Sequence, residues 1–193
     1  MTSNSGPVRL LPAAERPATA WRNGGGVTRE VAGCPAGSGL DDFGWRVSLA
    51  DVASAGPFSA FPGIDRVITL VEGEGMALTV DGVEHVVDAP FRPLAFAGDA
   101  ATDCRLLGGP LVDFNVMTRR GRVTAELLLA DAPRAVDVPD GATVLLVCLS
   151  GTATAGATAL ARYDGALLDE PGPYELRPDG VTAVITFREA STA

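Results

Sequence analysis

The stretch "FGWRVSLADVASAGPFSAFPGIDRVITLVEGEGMALTVDG", residues 43–82, decides the fold. It begins with Phe43, Trp45, Val47 and Leu49 alternating with Gly44, Arg46, Ser48 and Ala50, the period of a strand whose successive side chains point to opposite faces. Arg46 and Ser48 therefore share a face. "DRVITLVEG" (65–73) reads as a second strand, and "MALTVDGVEHVV" (76–87) as a hairpin turning at Asp81-Gly82, the residue pair that tolerates the left-handed backbone of a two-residue turn. Downstream, "LVDFNVM" (111–117) alternates again, with Asp113, Asn115 and Met117 on one face and Val112, Phe114 and Val116 on the other.

The remainder of the chain continues in the same style. "ATVLLVCLSG" (142–151) reads as a strand buried on both faces and "VTAVITFRE" (181–189) as its near-partner, each following a Pro-Asp-Gly turn, at 139–141 and 178–180. The shared tripeptide suggests two similar β units in tandem. "GRVTAELLLADAP" (121–133) fits a strand or a short helix equally well. Many short strands with 23 glycines and 14 prolines point to an all-β chain that closes its sheets into sandwiches or barrels.

Composition narrows the function classes. The chain of 193 residues is 47% hydrophobic and 20% charged, the balance of a globular protein able to bury a core. A net charge of -9 repels a phosphate backbone, and no basic run offsets it, so nucleic acid is excluded as a partner. The segment "MTSNSGPVRLLPAAERP" lacks the apolar centre of a signal peptide, and the longest apolar run, 144–149, is far short of the roughly 20 residues of a membrane helix. A cytoplasmic protein with no membrane partner is expected. Cys34, Cys104 and Cys148 are odd in number and lack CxxC spacing, so they read as buried thiols. All 15 basic residues are arginines, which removes Schiff-base chemistry and the phosphate-loop lysine and leaves Arg, whose planar fork suits carboxylates, as the anion-binding side chain.

Several motifs, taken together and in order, resemble one family. "WRNGGGVTREV" (21–31), the opening stretch 43–82, "RPLAFAGD" (92–99) and "LLGGPLVDFNVMTRR" (106–120) are similar to the HutD/Ves family over most of residues 17–120. The resemblance implies a bicupin: two small antiparallel, jelly-roll-like β-barrels, the first over residues 1–120 and a degenerate second over 121–193. It also implies a tie to bacterial histidine utilisation, through binding of a small acidic metabolite such as urocanate or a formylated glutamate and regulation of the pathway. It brings no established catalytic activity and no cofactor.

Many cupins hold a divalent ion with two or three histidines and a glutamate, yet this chain has one histidine. His85 shares its strand face with Val83 and Val87, and "GPFSAFPGIDR" (56–66) offers only Ser59 and Asp65 as oxygen donors. A metal-free pocket is expected. Its ligand-binding residues are read as Arg46 with Ser48, Asn115 with Asp113 and Met117 on the same strand face, and Arg66 as a second cation. Asp65 and Arg66 are neighbours on one strand, so only one faces inward; an inward Asp65 would orient Arg46. Trp21 is expected as an apolar wall with one donor and Asn23 as a hydrogen-bonding group at the mouth, with Gly24 to Gly26 letting the backbone pass close by. A purely structural turn at 21–26 weighs equally. Solvent-facing strands, with Trp45 and Phe114 turned to the core, remain the alternative for the polar faces. A metal-free enzyme using Asp65, Asp113 or Glu30 as general base is the alternative function, a surface adaptor is a third, and pairing of the chain with itself stays open.

Overall fold

Alternation of this kind buries one face of each strand, and the computed structural model, which describes residues 6–190, is built almost wholly from such strands. In chain order they begin β1 (Arg9–Leu11), β2 (Thr19–Ala20), β3 (Gly26–Cys34), β4 (Trp45–Val52), β5 (Gly56–Pro57) and β6 (Ile64–Glu72). Next come β7 (Met76–Val80), β8 (Val83–Val87), β9 (Pro93–Ala97), β10 (Thr102–Leu106), β11 (Leu111–Arg119), β12 (Val123–Ala130) and β13 (Arg134–Val138). The last are β14 (Thr143–Cys148), β15 (Thr152–Ala155), β16 (Thr158–Leu160), β17 (Gly165–Leu168), β18 (Gly172–Asp179) and β19 (Thr182–Glu189). A single 3-10 turn, Ala13–Glu15, is the one helical element among the described residues.

The strands form two units. Residues 17–120 carry a six-stranded sheet, β2-β3-β4-β11-β6-β9, and a four-stranded sheet, β5-β10-β7-β8, both antiparallel. Ala50, Val52, Ile68, Leu70 and Leu111 from the first sheet pack with Met76, Leu78, Val87 and Cys104 from the second in one core, so the two sheets close on each other. The hairpin read at Asp81-Gly82 joins β7 to β8, with Val80 opposite Val83 and both turn residues at positive φ, 46° and 82°.

The other unit holds a five-stranded sheet, β1-β17-β14-β19-β12, and a four-stranded sheet, β13-β18-β15-β16. Its core joins Val144, Leu146 and Cys148 to Ala153, Tyr174 and Leu176 across the sheets. The "TVLLVC" strand is buried almost throughout and pairs with β19 in the expected way, while 123–130 is a strand, because β19 offers Val123 to Ala130 a complete antiparallel ladder.

Two expectations change. The N-terminal segment does not stay with the first unit: Arg9, Leu10 and Leu11 pair with Leu167, Ala166 and Gly165, so residues 6–16 fold with residues 121–190. Asp164 fixes this arrangement by accepting from the Ala13 N–H at 2.7 Å, while Arg16 donates to the Tyr163 carbonyl. Cys34 is exposed at the end of β3, whereas Cys104 and Cys148 are buried, each with its thiol pushed up to about 11 chiefly by burial.

Candidate functional site

The site grows from strand register. β11 lies between β4 and β6, and its pairings set Arg46, Met117 and Arg66 in one cross-strand row, Ser48, Asn115 and Ile68 in the next, and Ala50, Asp113 and Leu70 in the third. Directly opposed residues share a face. Ala50, Ile68 and Leu70 belong to the core between the two sheets, so the polar members of these rows point between the sheets as well. Arg66, Asp113, Asn115 and Ser48 are all buried, at 6%, 2%, 8% and 3% exposure. The alternative in which these faces meet solvent is overturned: Val47, Leu49, Phe114 and Val116 are also buried, so both faces of the sheet are covered.

β3 extends all three rows, with Thr28 opposite Ala50. Glu30 stands opposite Ser48 and Gly33 opposite Arg46, with a register shift between Glu30 and Ala32. That irregularity brings the Glu30 carboxylate to 2.6 Å from Nε of Arg46, on a pair whose side chains are 40% and 14% exposed. Glu30, not Asp65, orients Arg46. The shift is a bulge, and strand alternation alone carries no sign of it.

Arg66 is the inward member of its pair. Its guanidinium carbon lies 5.3, 5.5 and 5.0 Å from the ring centres of Phe58, Phe61 and Phe96, an aromatic cage around a buried cation. Burial pulls the guanidinium down to about 10, against the attraction of Asp113 and with the repulsion of Arg46. Asp113 is pushed up to about 7, first by burial, with Arg66 pulling it down and Asp51 pushing it up. Three buried atoms on this face, Nε of Arg66, Oδ1 of Asp113 and Oδ1 of Asn115, have no hydrogen-bond partner. Buried polar atoms are nearly always paired, and here three unpaired ones gather on one inner face.

Asp65 does not enter the barrel. It is exposed and accepts from Nε and Nη2 of Arg120 at 2.9 and 2.7 Å, and the same guanidinium reaches Asp99 at 2.8 Å. These contacts raise Arg120 above its ordinary value and hold Asp99 below its own, the latter led by the Gly63 N–H. Arg119 stacks on Phe43 and donates to the Phe43 and Asp41 carbonyls. Both arginines tie loops to the sheet.

The glycine segment serves two purposes. Asn23 is exposed and its Oδ1 accepts from the Gly25 N–H at 2.9 Å, closing a local turn. Trp21 reaches inward: its indole N–H donates to Thr28 Oγ1 at 2.7 Å, and its ring meets Phe58 edge-on at 6.2 Å. Thr28 stands opposite Ala50, so Trp21 extends the wall that begins at the Arg66 cage. Met117, 1% exposed, packs with Phe43, Ile64 and Phe61 and supplies apolar backing. His85 is half-buried opposite Leu78, and no group of three or more His, Cys, Asp or Glu suited to a metal ion occurs among the described residues. Glu30 as ion-pair partner and Phe58, Phe61 and Phe96 as a cage are the site residues that sequence reasoning missed.

A family model described as HutD matches residues 13–186. An uncharacterised 21.2 kDa protein in the hutC 3' region of Pseudomonas putida is 41% identical over 143 residues, 74% of either chain. Protein Ves of Citrobacter koseri is 38% identical over 169 residues, 85% of either chain. The structure of HutD from Pseudomonas fluorescens SBW25 superposes with a TM-score of 0.86 at 33% identity, over 96% of this chain and 100% of that one.

Proposed function

The chain belongs to the HutD family, and from that premise we propose that it binds a small acidic metabolite, urocanate or a formylated glutamate, in a metal-free pocket between the sheets of residues 17–120. Occupancy of that pocket then regulates histidine catabolism in the cytoplasm. The observation that carries the reading is Arg66, a cation buried among three phenylalanines, its Nε unpaired and Arg46 close enough to repel it. A guanidinium so placed favours an anion, since a carboxylate cancels the repulsion and takes the idle N–H. With Arg46 as second cation, Ser48 beside it and Trp21 and Met117 as apolar walls, a compact acid is held at one end and packed along its length. The genomic neighbourhood in the Pseudomonas putida relative's name supports the histidine pathway as the source of that acid.

One observation favours a second reading. Asp113, pushed up to about 7 in a dry setting, suits a general acid or base, as a metal-free enzyme acting on the same acid requires. Isothermal titration with urocanate, N-formylglutamate and glutamate, followed by chromatography of the mixtures, tests both. Saturable binding with the ligand recovered unchanged is expected; turnover replaces the sensor with an enzyme, and silence toward all three acids overturns the pocket reading.

A further inference from the structure

The three unpartnered atoms on the inner face are not alike. Nε of Arg66 is a donor, while Oδ1 of Asp113 and Oδ1 of Asn115 are acceptors. With Asp113 ionised, a plain carboxylate satisfies only the first, and its oxygens would then stand among two further acceptors with no hydrogen between them. Two acceptors left dry, one on a carboxylate, oppose binding of such a ligand. The occupant has to bring hydrogens.

Resting on the acid-binding reading above, we infer that the ligand is a carboxylate that also carries an N–H donor of the amide or azole kind, and that Asp113 and Asn115 select it by accepting from that donor. Their positions suit the task. Asp113 and Asn115 lie two residues apart on β11, on the same face, flanked by Ser48 and Ala50 on one side and Ile68 and Leu70 on the other. Arg66, opposite Met117 on that face, takes the acid end. A flat ligand can thus present its carboxylate to Arg66 and its N–H further along β11, with Ile68 and Leu70 as apolar floor. When ionised, Asp113 has no hydrogen to give, so it discriminates most strongly on the alkaline side of its titration. Sites that hydrogen-bond one substrate group reject analogues lacking it far better than apolar pockets reject a missing methylene.

Calorimetry at pH 8 with paired probes tests this: urocanate against 3-(2-furyl)acrylate, whose ring has no nitrogen and no N–H, and N-formylglutamate against glutarate, which lacks the formamide. At least one donor-bearing probe should bind about tenfold or more tightly than its partner. In Asn115→Leu and Asp113→Leu that ratio should fall toward one, whereas a merely structural role weakens both members alike and leaves the ratio standing. Asp113→Asn, which keeps an acceptor oxygen, should retain part of the preference and guards against a variant that fails to fold. Equal binding of both members by the unaltered protein overturns the donor inference while the acid site stands. No binding of any probe overturns both.

Discussion

Arg66 and Asp113 are charged groups buried on the same inner face of one sheet, attracting each other across β6 and β11 while Nε of one and Oδ1 of the other stay unpaired. This pair makes stability depend on pH in an unusual direction. Asp113 titrates near 7 in the folded chain against 3.8 for an ordinary aspartate, so the folded form binds the extra proton between those values. Its contribution is therefore full on the acid side and is lost as the pH rises toward 7. Asp113→Asn should gain stability relative to the parent on going from pH 4.5 to 7.5, by up to about 3 kcal/mol if the whole shift is realised. Urea unfolding at the two pH values measures the difference; a gain that is the same at both would rule out Asp113 as the titrating group.

Removing the cation should separate binding from folding. Methionine fills much of the arginine stem's volume and packs well against Phe58, Phe61 and Phe96, so Arg66→Met should keep the fold, with Asp113 driven further toward its neutral form. Loss of one charge-assisted contact of about 1.5–3 kcal/mol should weaken binding of urocanate or N-formylglutamate roughly 10- to 150-fold. Titration calorimetry together with circular dichroism distinguishes this from simple unfolding.

How far the sequence spoke for itself follows from these residues. Alternation placed Arg46, Ser48, Asp113, Asn115 and Met117 on common faces correctly, because a strand's period is local and needs no partner to be read. It left Asp65 and Arg66 undecided, since that choice depends on which face the second sheet covers. The bulge near Val31 shifts β3 against β4 and brings Glu30 to Arg46, a relation that exists only once the strands pair. Phe58 and Phe61 come from the connection between β5 and β6, and Phe96 from β9, so no period links them before folding. For β12, pairing with β19 decided between two local structures that its own residues allowed.

The outward side of the β6 strand provides a control. Asp65 and Asp99 share the Arg120 guanidinium at the surface, where screening by salt is strong. Asp65→Asn should lower the melting temperature slightly at low salt, with the difference shrinking in 1 M sodium chloride, and should leave ligand affinity within about twofold. A large loss of affinity would place Asp65 in the binding machinery, contrary to its outward position.

The glycine segment separates structure from wall within six residues. At Gly26 a Cβ would stand 2.5 Å from the Asp51 carbonyl oxygen and 3.1 Å from the Trp21 ring, so Gly26→Ala forces backbone apart and pushes the indole off Thr28 and Phe58. That overpacking should cost about 1–3 kcal/mol and weaken ligand binding as well, because Trp21 would no longer close the wall. Asn23→Ala removes only the bond to the Gly25 N–H, on an exposed turn. Its cost should be about 0.5–1.5 kcal/mol, the worth of one ordinary hydrogen bond, with ligand affinity unchanged. Thermal melts and calorimetry on the two variants test both halves. If Asn23→Ala weakens binding as much as Gly26→Ala does, Asn23 touches the ligand after all and the segment is a lip of the pocket along its whole length.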